Sequence, residues 1–160
     1  MTKYTMKVDL KRCVGCQACE VTCKQEFSLP VGPRWIRVDQ HGPNRKGDGL
    51  EMTFVPVYCL HCDDPKCLAV CPEKAITQRA DGIVLVDKAK CTGCKLCIEA
   101  CPIQAPQFNP EEGVVGFCNY CAHRVDQGLQ PACTLVCPAR CMYFGDVAEV
   151  DKRMQSAGRR

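Results

Sequence analysis

The sequence predicts an α+β fold that is rich in loops and contains one internal duplication. Three observations carry this prediction. The 160 residues include 17 cysteines, about 11% of the chain, far above ordinary globular usage. Sixteen of these cysteines fall into four runs of four, and the runs alternate between two types along the chain. Short strand-like and helix-like segments separate the runs, with no long apolar stretch between them.

The supply of ordinary core residues is small for this length. The hydrophobic fraction of 46% includes the cysteines, and the chain also contains 11 Pro and 12 Gly. Crosslinks are therefore expected to support the core. A disulfide framework would call for an oxidising compartment, usually an even cysteine count and a secretory signal. The count is odd, and the N-terminal residues lack the apolar segment of such a signal.

The third run has the most regular spacing. Cys91, Cys94, Cys97 and Cys101 follow the pattern Cys-x2-Cys-x2-Cys-x3-Cys, and Pro102 comes next. This is the spacing of the bacterial ferredoxin loop, in which three close thiolates bind one [4Fe-4S] cluster and the fourth ligates its neighbour. Paired Cys-x2-Cys is also typical of tetrahedral zinc sites, but a zinc ribbon needs only two pairs. The third close cysteine favours iron-sulfur clusters.

The chain starts with a predicted strand, Tyr4–Val8, that leads into the first run. That run consists of Cys13, Cys16, Cys19 and Cys23. Gly15 lies between the first two ligands, where a backbone without Cβ can approach a cluster closely. One or two helical turns are expected over residues 20–27. Residues 34–38 and 52–58 then predict a hairpin with a long polar tip.

The second run consists of Cys59, Cys62, Cys67 and Cys71. Its spacer, residues 63–66, is two residues longer than in the first run and is expected to form an exposed bulge. All four cysteines are present, so His61 is expected to pack or to form hydrogen bonds rather than to replace a ligand. Further along, Asp81-Gly82 predicts a two-residue hairpin between residues 76–78 and 83–86.

The fourth run follows a predicted strand at residues 114–117. It consists of Cys118, Cys121, Cys133 and Cys137. The spacer at residues 122–132 carries His123, Arg124 and Asp126, and the sequence leaves open whether it faces a partner or only solvent. Cys141 is left over and is expected to behave as a small buried apolar residue. Residues 148–160 are expected to form a short tail with helical potential.

The runs repeat in the order A-B-A-B. Runs one and three share Asp-x2-Lys/Arg-Cys-x-Gly-Cys, whereas runs two and four share a preceding aromatic residue and Pro-x-Cys-x2-Val-Cys-Pro. This order predicts a duplicated bacterial-type two-cluster ferredoxin fold organised around four [4Fe-4S] clusters. The predicted outer unit comprises residues 1–49 with 102–147, and the inner unit comprises residues 50–101.

The arrangement resembles the four-cluster electron-transfer subunits of molybdenum and tungsten pterin oxidoreductases of the dimethyl-sulfoxide-reductase type. Similar connecting segments occur at residues 34–38, 118–128 and 144–146, and the resemblance covers about residues 5–147. It implies crossed ligation, in which each run lends its fourth cysteine to a partner run. The implied iron ligands are Cys13, Cys16, Cys19 and Cys137 (cluster 1); Cys118, Cys121, Cys133 and Cys23 (cluster 2); Cys59, Cys62, Cys67 and Cys101 (cluster 3); and Cys91, Cys94, Cys97 and Cys71 (cluster 4).

The resemblance implies a non-catalytic subunit, since every cluster iron would be held by cysteine and none left open to substrate. The implied partner is a large Mo/W-pterin catalytic subunit, and the short segment after the last run is similar to the small subunit of tungsten aldehyde oxidoreductases. Formate dehydrogenases, hydrogenase complexes and anaerobic respiratory reductases are the alternative complexes. A flavin or membrane redox subunit and end-to-end self-association are further candidate partners. A free-standing polyferredoxin and a structural zinc or interaction module are the competing classes.

Charge and hydropathy argue against binding to nucleic acid and against direct insertion into a membrane. The formal net charge is +3, with acidic and basic residues interspersed, so no basic run predicts nucleic-acid binding. No apolar run approaches the ~18 residues that span a membrane, and direct insertion is not expected. We expect a cytoplasmic protein, with export alongside a partner left open.

Overall fold

A computed structural model describes residues 2–157, in which short helices alternate with two-stranded antiparallel sheets. The strands are β1 (Tyr4–Val8), β2 (Ile36–Lys46), β3 (Gly49–Tyr58), β4 (Ile76–Gln78), β5 (Val84–Val86), β6 (Gln107–Asn109), β7 (Val114–Gly116) and β8 (Met142–Asp146). The helices are α1 (Ala18–Glu26), α2 (Lys66–Ala69), α3 (Leu96–Ala100), α4 (Ala122–Val125), α5 (Ala132–Val136) and α6 (Val147–Ala157). The strands pair as β1 with β8, β2 with β3, β4 with β5 and β6 with β7.

The two ends of the chain are joined by the sheet of β1 and β8. Tyr4 lies opposite Asp146, and Val8 lies opposite Met142. The strand before the first run therefore pairs with the strand after the fourth run. The helices pair in the same order, with α1 of run one packed against α5 of run four and α2 of run two packed against α3 of run three. Runs one and four thus lie together, as do runs two and three. The residue boundaries of the predicted outer and inner units stay a prediction.

The hairpin of β2 and β3 is longer than predicted. Both strands continue through the region expected to be a polar tip and are joined at residues 47–48, with a register shift between His41 and Asn44. Residues 40–46 are exposed. Backbone pairing and an exposed ion pair between Lys46 and Glu51 hold this part of the hairpin, so no alternation of apolar and polar residues could reveal it.

The turn between β4 and β5 is wider than the predicted two-residue hairpin. The Gly82 N–H donates to the Arg79 carbonyl at 3.0 Å, and the Arg79 N–H donates to the Ile83 carbonyl at 2.8 Å. The Asp81 carboxylate accepts the Ile83 N–H at 3.1 Å and pairs with Arg79 at 2.8 Å. Asp81 therefore caps the wider turn through its side chain.

Six elements were not predicted, namely α2, α3, β6, α4, α5 and β8. Two expectations are confirmed. Strand β6 is only three residues long, and α4 lies inside the spacer expected to be a loop. Asp63 and Asp64 in the spacer of run two are exposed, as expected. The expected tail begins as helix α6, while residues 158–160 lie outside the described residues.

The hydrophobic core forms two clusters that include cysteines. The larger contains Ile36, Ile83 and Phe144 together with Cys19, Cys23, Cys118 and Cys133. The smaller contains Val84, Val115 and Phe117 together with Cys97. Among the described residues, no helix combines the length and apolar character needed to cross a membrane.

Candidate iron-sulfur centres

Three cavities in the structure are each lined by four cysteines of the predicted sets. Each cavity takes three cysteines from one run and one from its partner run. The sets are Cys13, Cys16, Cys19 and Cys137 (site 1); Cys59, Cys62, Cys67 and Cys101 (site 3); and Cys71, Cys91, Cys94 and Cys97 (site 4). They are the groups that the resemblance implies for clusters 1, 3 and 4.

The fourth set, Cys23, Cys118, Cys121 and Cys133, is enclosed and forms site 2. Burial raises the pKa of Cys118, and the next contributions come from its neighbours Cys133 and Cys23. Burial likewise raises the pKa of Cys23 to about 12, and the next contribution comes from Cys121. The members of this set therefore lie close to one another, and three of them, Cys23, Cys118 and Cys133, belong to the larger hydrophobic cluster.

The four runs share a backbone conformation at their third residue. This position lies between the first two cysteines of each run and has a left-handed backbone in all four. It is occupied by Gly15 (φ 67°), His61 (φ 49°), Gly93 (φ 68°) and Tyr120 (φ 56°). The left-handed step turns the chain sharply, so both flanking cysteines face the same cavity. Non-glycine residues rarely adopt this conformation, and the packing around His61 and Tyr120 must hold it.

The rings of His61 and Tyr120 pack against each other at an angle of 45° and join run two to run four. Their ring centroids are 3.8 Å apart. The Val84 N–H donates to His61 Nδ1 at 2.8 Å, so the ring proton lies on Nε2. Burial lowers the pKa of His61 to about 4, which keeps the ring neutral at physiological pH. The predicted packing and hydrogen-bonding role of His61 is confirmed, and this ring contact places sites 2 and 3 side by side.

The fourth cysteines of runs two, three and four lie in the same turn. Each is followed by Pro, any residue, a left-handed residue and a small residue. The left-handed residues are Lys74 (φ 48°), Gln104 (φ 50°) and Arg140 (φ 47°). The N–H of the next residue then points at the cysteine sulfur, at 3.3 Å for Ala75 to Cys71 and 3.4 Å for Ala105 to Cys101. Such N–H groups stabilise negative charge on a ligand sulfur.

Cys23 departs from this turn because Lys24 replaces the proline. Helix α1 continues past Cys23 to Glu26. The Lys24 ammonium then donates to the carbonyls of Pro30 at 2.6 Å and Pro33 at 3.0 Å, which fixes the loop after the helix. The Ile36 N–H donates a hydrogen bond to the Cys23 sulfur, which opposes the rise in the pKa of this thiol caused by burial. The enclosed site thus receives its fourth cysteine from a helix rather than from a turn.

The four sites follow one another in a row. Cys19 of site 1 contributes to the raised pKa of Cys23 in site 2. Cys59 of site 3 contributes, after burial and nearer cysteines, to the raised pKa of Cys118 in site 2. Burial first, and then neighbouring cysteines that include Cys67 of site 3, raise the pKa of Cys97 in site 4 to about 11. Sites 1 and 2, sites 2 and 3, and sites 3 and 4 are therefore neighbours.

The donor set fits iron-sulfur clusters. Each site offers four cysteine sulfurs around a cavity, and soft thiolates are the ligands that such clusters take. Within residues 2–157, no three His, Cys, Asp or Glu side chains are gathered closely enough to hold a single metal ion. The thiols at site 2 are buried, whereas Cys16 of site 1, Cys62 of site 3 and Cys94 of site 4 are exposed. Sites 1, 3 and 4 therefore each have one cysteine at the surface.

Sequence comparisons agree with this geometry. Two family models match, each described as a 4Fe-4S dicluster domain, one over residues 50–147 and the other over residues 12–75. A putative dimethyl sulfoxide reductase iron-sulfur subunit from Halobacterium salinarum is 42% identical over 94% of this chain and 69% of the relative. A tetrathionate reductase subunit from Salmonella typhimurium is 42% identical over 95% of this chain, which spans 61% of that relative. The thiosulfate reductase electron transfer subunit of Salmonella typhi is 42% identical over 92% of this chain and 78% of the relative.

The chain therefore belongs to the 4Fe-4S dicluster family of reductase iron-sulfur subunits. It is an iron-sulfur electron-transfer subunit rather than a catalytic one, as the sequence predicted. These three relatives are named for reductases, and they give no support to the predicted tungsten aldehyde oxidoreductase.

Proposed function

We propose that this chain carries electrons through four [4Fe-4S] clusters, held in crossed sets of four cysteines, to or from a large molybdenum-pterin catalytic subunit. The observation that supports this most strongly is the lining of sites 1, 3 and 4, in which a cysteine from a partner run completes each set. A bound [4Fe-4S] cluster accepts and releases single electrons. The protein positions the clusters and tunes their potentials.

The residues around each site supply that tuning. Backbone N–H groups aimed at Cys71, Cys101 and Cys91 favour the more negative, reduced form of a bound cluster. The enclosed position of site 2 excludes water and lowers the local dielectric, which opposes added negative charge. Different surroundings therefore give the four centres different potentials along the row.

Both ends of the row suit docking of redox partners. Beside the exposed Cys16, the Val14 side chain is 61% exposed, and beside the exposed Cys94, Leu96 is 44% exposed. Apolar side chains next to a terminal centre suit a close contact that excludes water from the path of the electron. One end would face the catalytic subunit and the other a second redox subunit, which could be a flavin or membrane protein.

The names of the relatives favour one class of complex. They belong to dimethyl sulfoxide, tetrathionate, thiosulfate and polysulfide reductases. We therefore place this chain in an anaerobic respiratory reductase of a sulfur compound or sulfoxide, rather than in a tungsten aldehyde oxidoreductase. End-to-end self-association and the cytoplasmic location stay predictions.

Anaerobic purification of the native complex tests this function. Four clusters predict about 16 iron and 16 sulfide per chain. Size-exclusion chromatography should show the iron eluting with a large polypeptide that contains molybdenum. A brown species with the mass of the single chain and no large partner would instead indicate a free-standing polyferredoxin. A colourless protein with zinc and no sulfide would contradict the cluster assignment.

A further inference from the structure

Cys141 occupies a position that alanine occupies at the other two turns of its kind. In those turns the residue four places after the fourth cysteine is Ala75 or Ala105, and after Cys137 it is Cys141. All three residues line the cavity of their site and are buried, with exposed fractions of 1%, 4% and 2%. The backbone of the turn therefore accepts a methyl group, and the thiol of Cys141 is an addition that folding does not require.

The Cys141 thiol lies against the predicted ligands of cluster 1. Its Sγ is 3.5 Å from the Sγ of Cys137, and Cys13 is its second thiol neighbour. The backbone holds it there, because the Cys141 carbonyl accepts the Asp9 N–H at 2.8 Å and β8 begins at the next residue. Site 1 thus has five thiols around one cavity, and Cys137 already occupies the place of the fourth ligand.

We propose that the thiol of Cys141 does not bind iron but donates a hydrogen bond to the ligand sulfur of Cys137 and so raises the reduction potential of cluster 1. This inference rests on the proposed ligation of cluster 1. A ligating Cys137 is a thiolate and can only accept, whereas a cysteine that binds no metal keeps its proton at neutral pH and can donate.

The direction follows from the charge on the cluster. Reduction adds one electron, and part of that charge resides on the ligand sulfurs. A donor aimed at one of these sulfurs stabilises the reduced form more than the oxidised form, as hydrogen bonds to sulfur do in iron-sulfur proteins. Cluster 4 receives an N–H from Ala75 but no thiol at the equivalent position. Cys141 therefore distinguishes the two ends of the row.

A redox titration of the assembled complex, followed by electron paramagnetic resonance, tests the proposal with Cys141→Ala. The iron content is expected to stay near that of the unmodified protein, and one of the four midpoint potentials should fall. We expect a three- to tenfold change in the ratio of reduced to oxidised cluster, about 30 to 60 mV for a one-electron couple. Cys141→Ser keeps a donor and should leave that midpoint close to its original value.

Ala75→Cys is the reciprocal variant. It places a thiol beside Cys71 and should raise the midpoint of a different cluster. Four unchanged midpoints in Cys141→Ala, an equal fall in Cys141→Ser, or loss of one cluster's iron in Cys141→Ala would each overturn the proposal. The iron content of the unmodified protein tests the proposed function separately, because that measurement does not involve Cys141.

Discussion

Anaerobic removal of iron is expected to abolish cooperative folding of this chain. The larger hydrophobic cluster includes Cys19, Cys23, Cys118 and Cys133, so the walls of the proposed sites are also the core. Without iron and sulfide, the buried thiols border cavities that the surrounding side chains cannot fill. A structural metal site in a small domain contributes about 10–16 kcal/mol, as much as the whole stability of a typical domain.

Circular dichroism and calorimetry of the chelated protein measure this effect. The thermal transition should disappear and the helical signal should fall, and addition of iron and sulfide under reducing conditions should restore both. The control is the same protein taken through the procedure without chelator. A chelated chain that melts cooperatively, with native-like circular dichroism, would show that apolar packing alone is sufficient.

Gly93→Ala is expected to be the most destabilising small substitution in the loops around the proposed sites. Gly93 has φ 68°, and a Cβ there would lie 2.3 Å from the Gly113 carbonyl oxygen and 3.0 Å from the Phe108 ring. The left-handed backbone costs an alanine about 1–2 kcal/mol, and the clash with a backbone atom must add a shift of the loop. Since Cys91 and Cys94 flank this residue, we expect a loss of about 3 kcal/mol or more in stability and a lower iron content at one cluster.

Gly113→Ala is the matched control. Gly113 has φ 71°, almost the same as Gly93, but a Cβ there would meet no atom within 4 Å. It should therefore show only the backbone cost of about 1–2 kcal/mol and retain full iron. Thermal melts of the two loaded variants, together with iron and sulfide analysis, measure the difference. Equal melting temperatures and equal iron would contradict the close packing of the third run against the loop before β7.

The strand before the first run and the helix within that run were predictable because their signals are local. The alternation at Tyr4–Val8 gave β1 with its observed bounds, and the residues after Cys19 gave the body of α1. The hairpin of β2 and β3 was predicted, but its strands were predicted too short, because residues 40–46 are exposed and an exposed hairpin needs no apolar pattern. The predicted two-residue length of the turn at Asp81-Gly82 was wrong, because the observed turn is longer and the side chain of Asp81 caps it.

The sites were predictable as four groups of cysteines but not in their details. Glycine between the first two cysteines signals a left-handed backbone, whereas His61 and Tyr120 carry no such signal. Aligning the third position of all four runs would have revealed their equivalence. The contact of Cys141 with Cys137 depends on a turn that spacing does not encode. Spacing also permitted each run to hold its own cluster, so the crossing came only from the resemblance.

Two double variants that share Cys23→Ser distinguish crossed from local ligation most directly. When Cys23→Ser is combined with Cys118→Ser, crossed ligation predicts damage to cluster 2 alone, because both cysteines belong to one set. About 12 firmly bound irons then stay in the protein. When Cys23→Ser is combined with Cys13→Ser, crossed ligation predicts damage to clusters 1 and 2 and about eight firmly bound irons. Local ligation reverses the two results, since Cys13 and Cys23 would then share a cluster. Iron and sulfide analysis after anaerobic loading and desalting should give the higher content for the pair with Cys118, and a higher content for the pair with Cys13 would contradict the crossed sets.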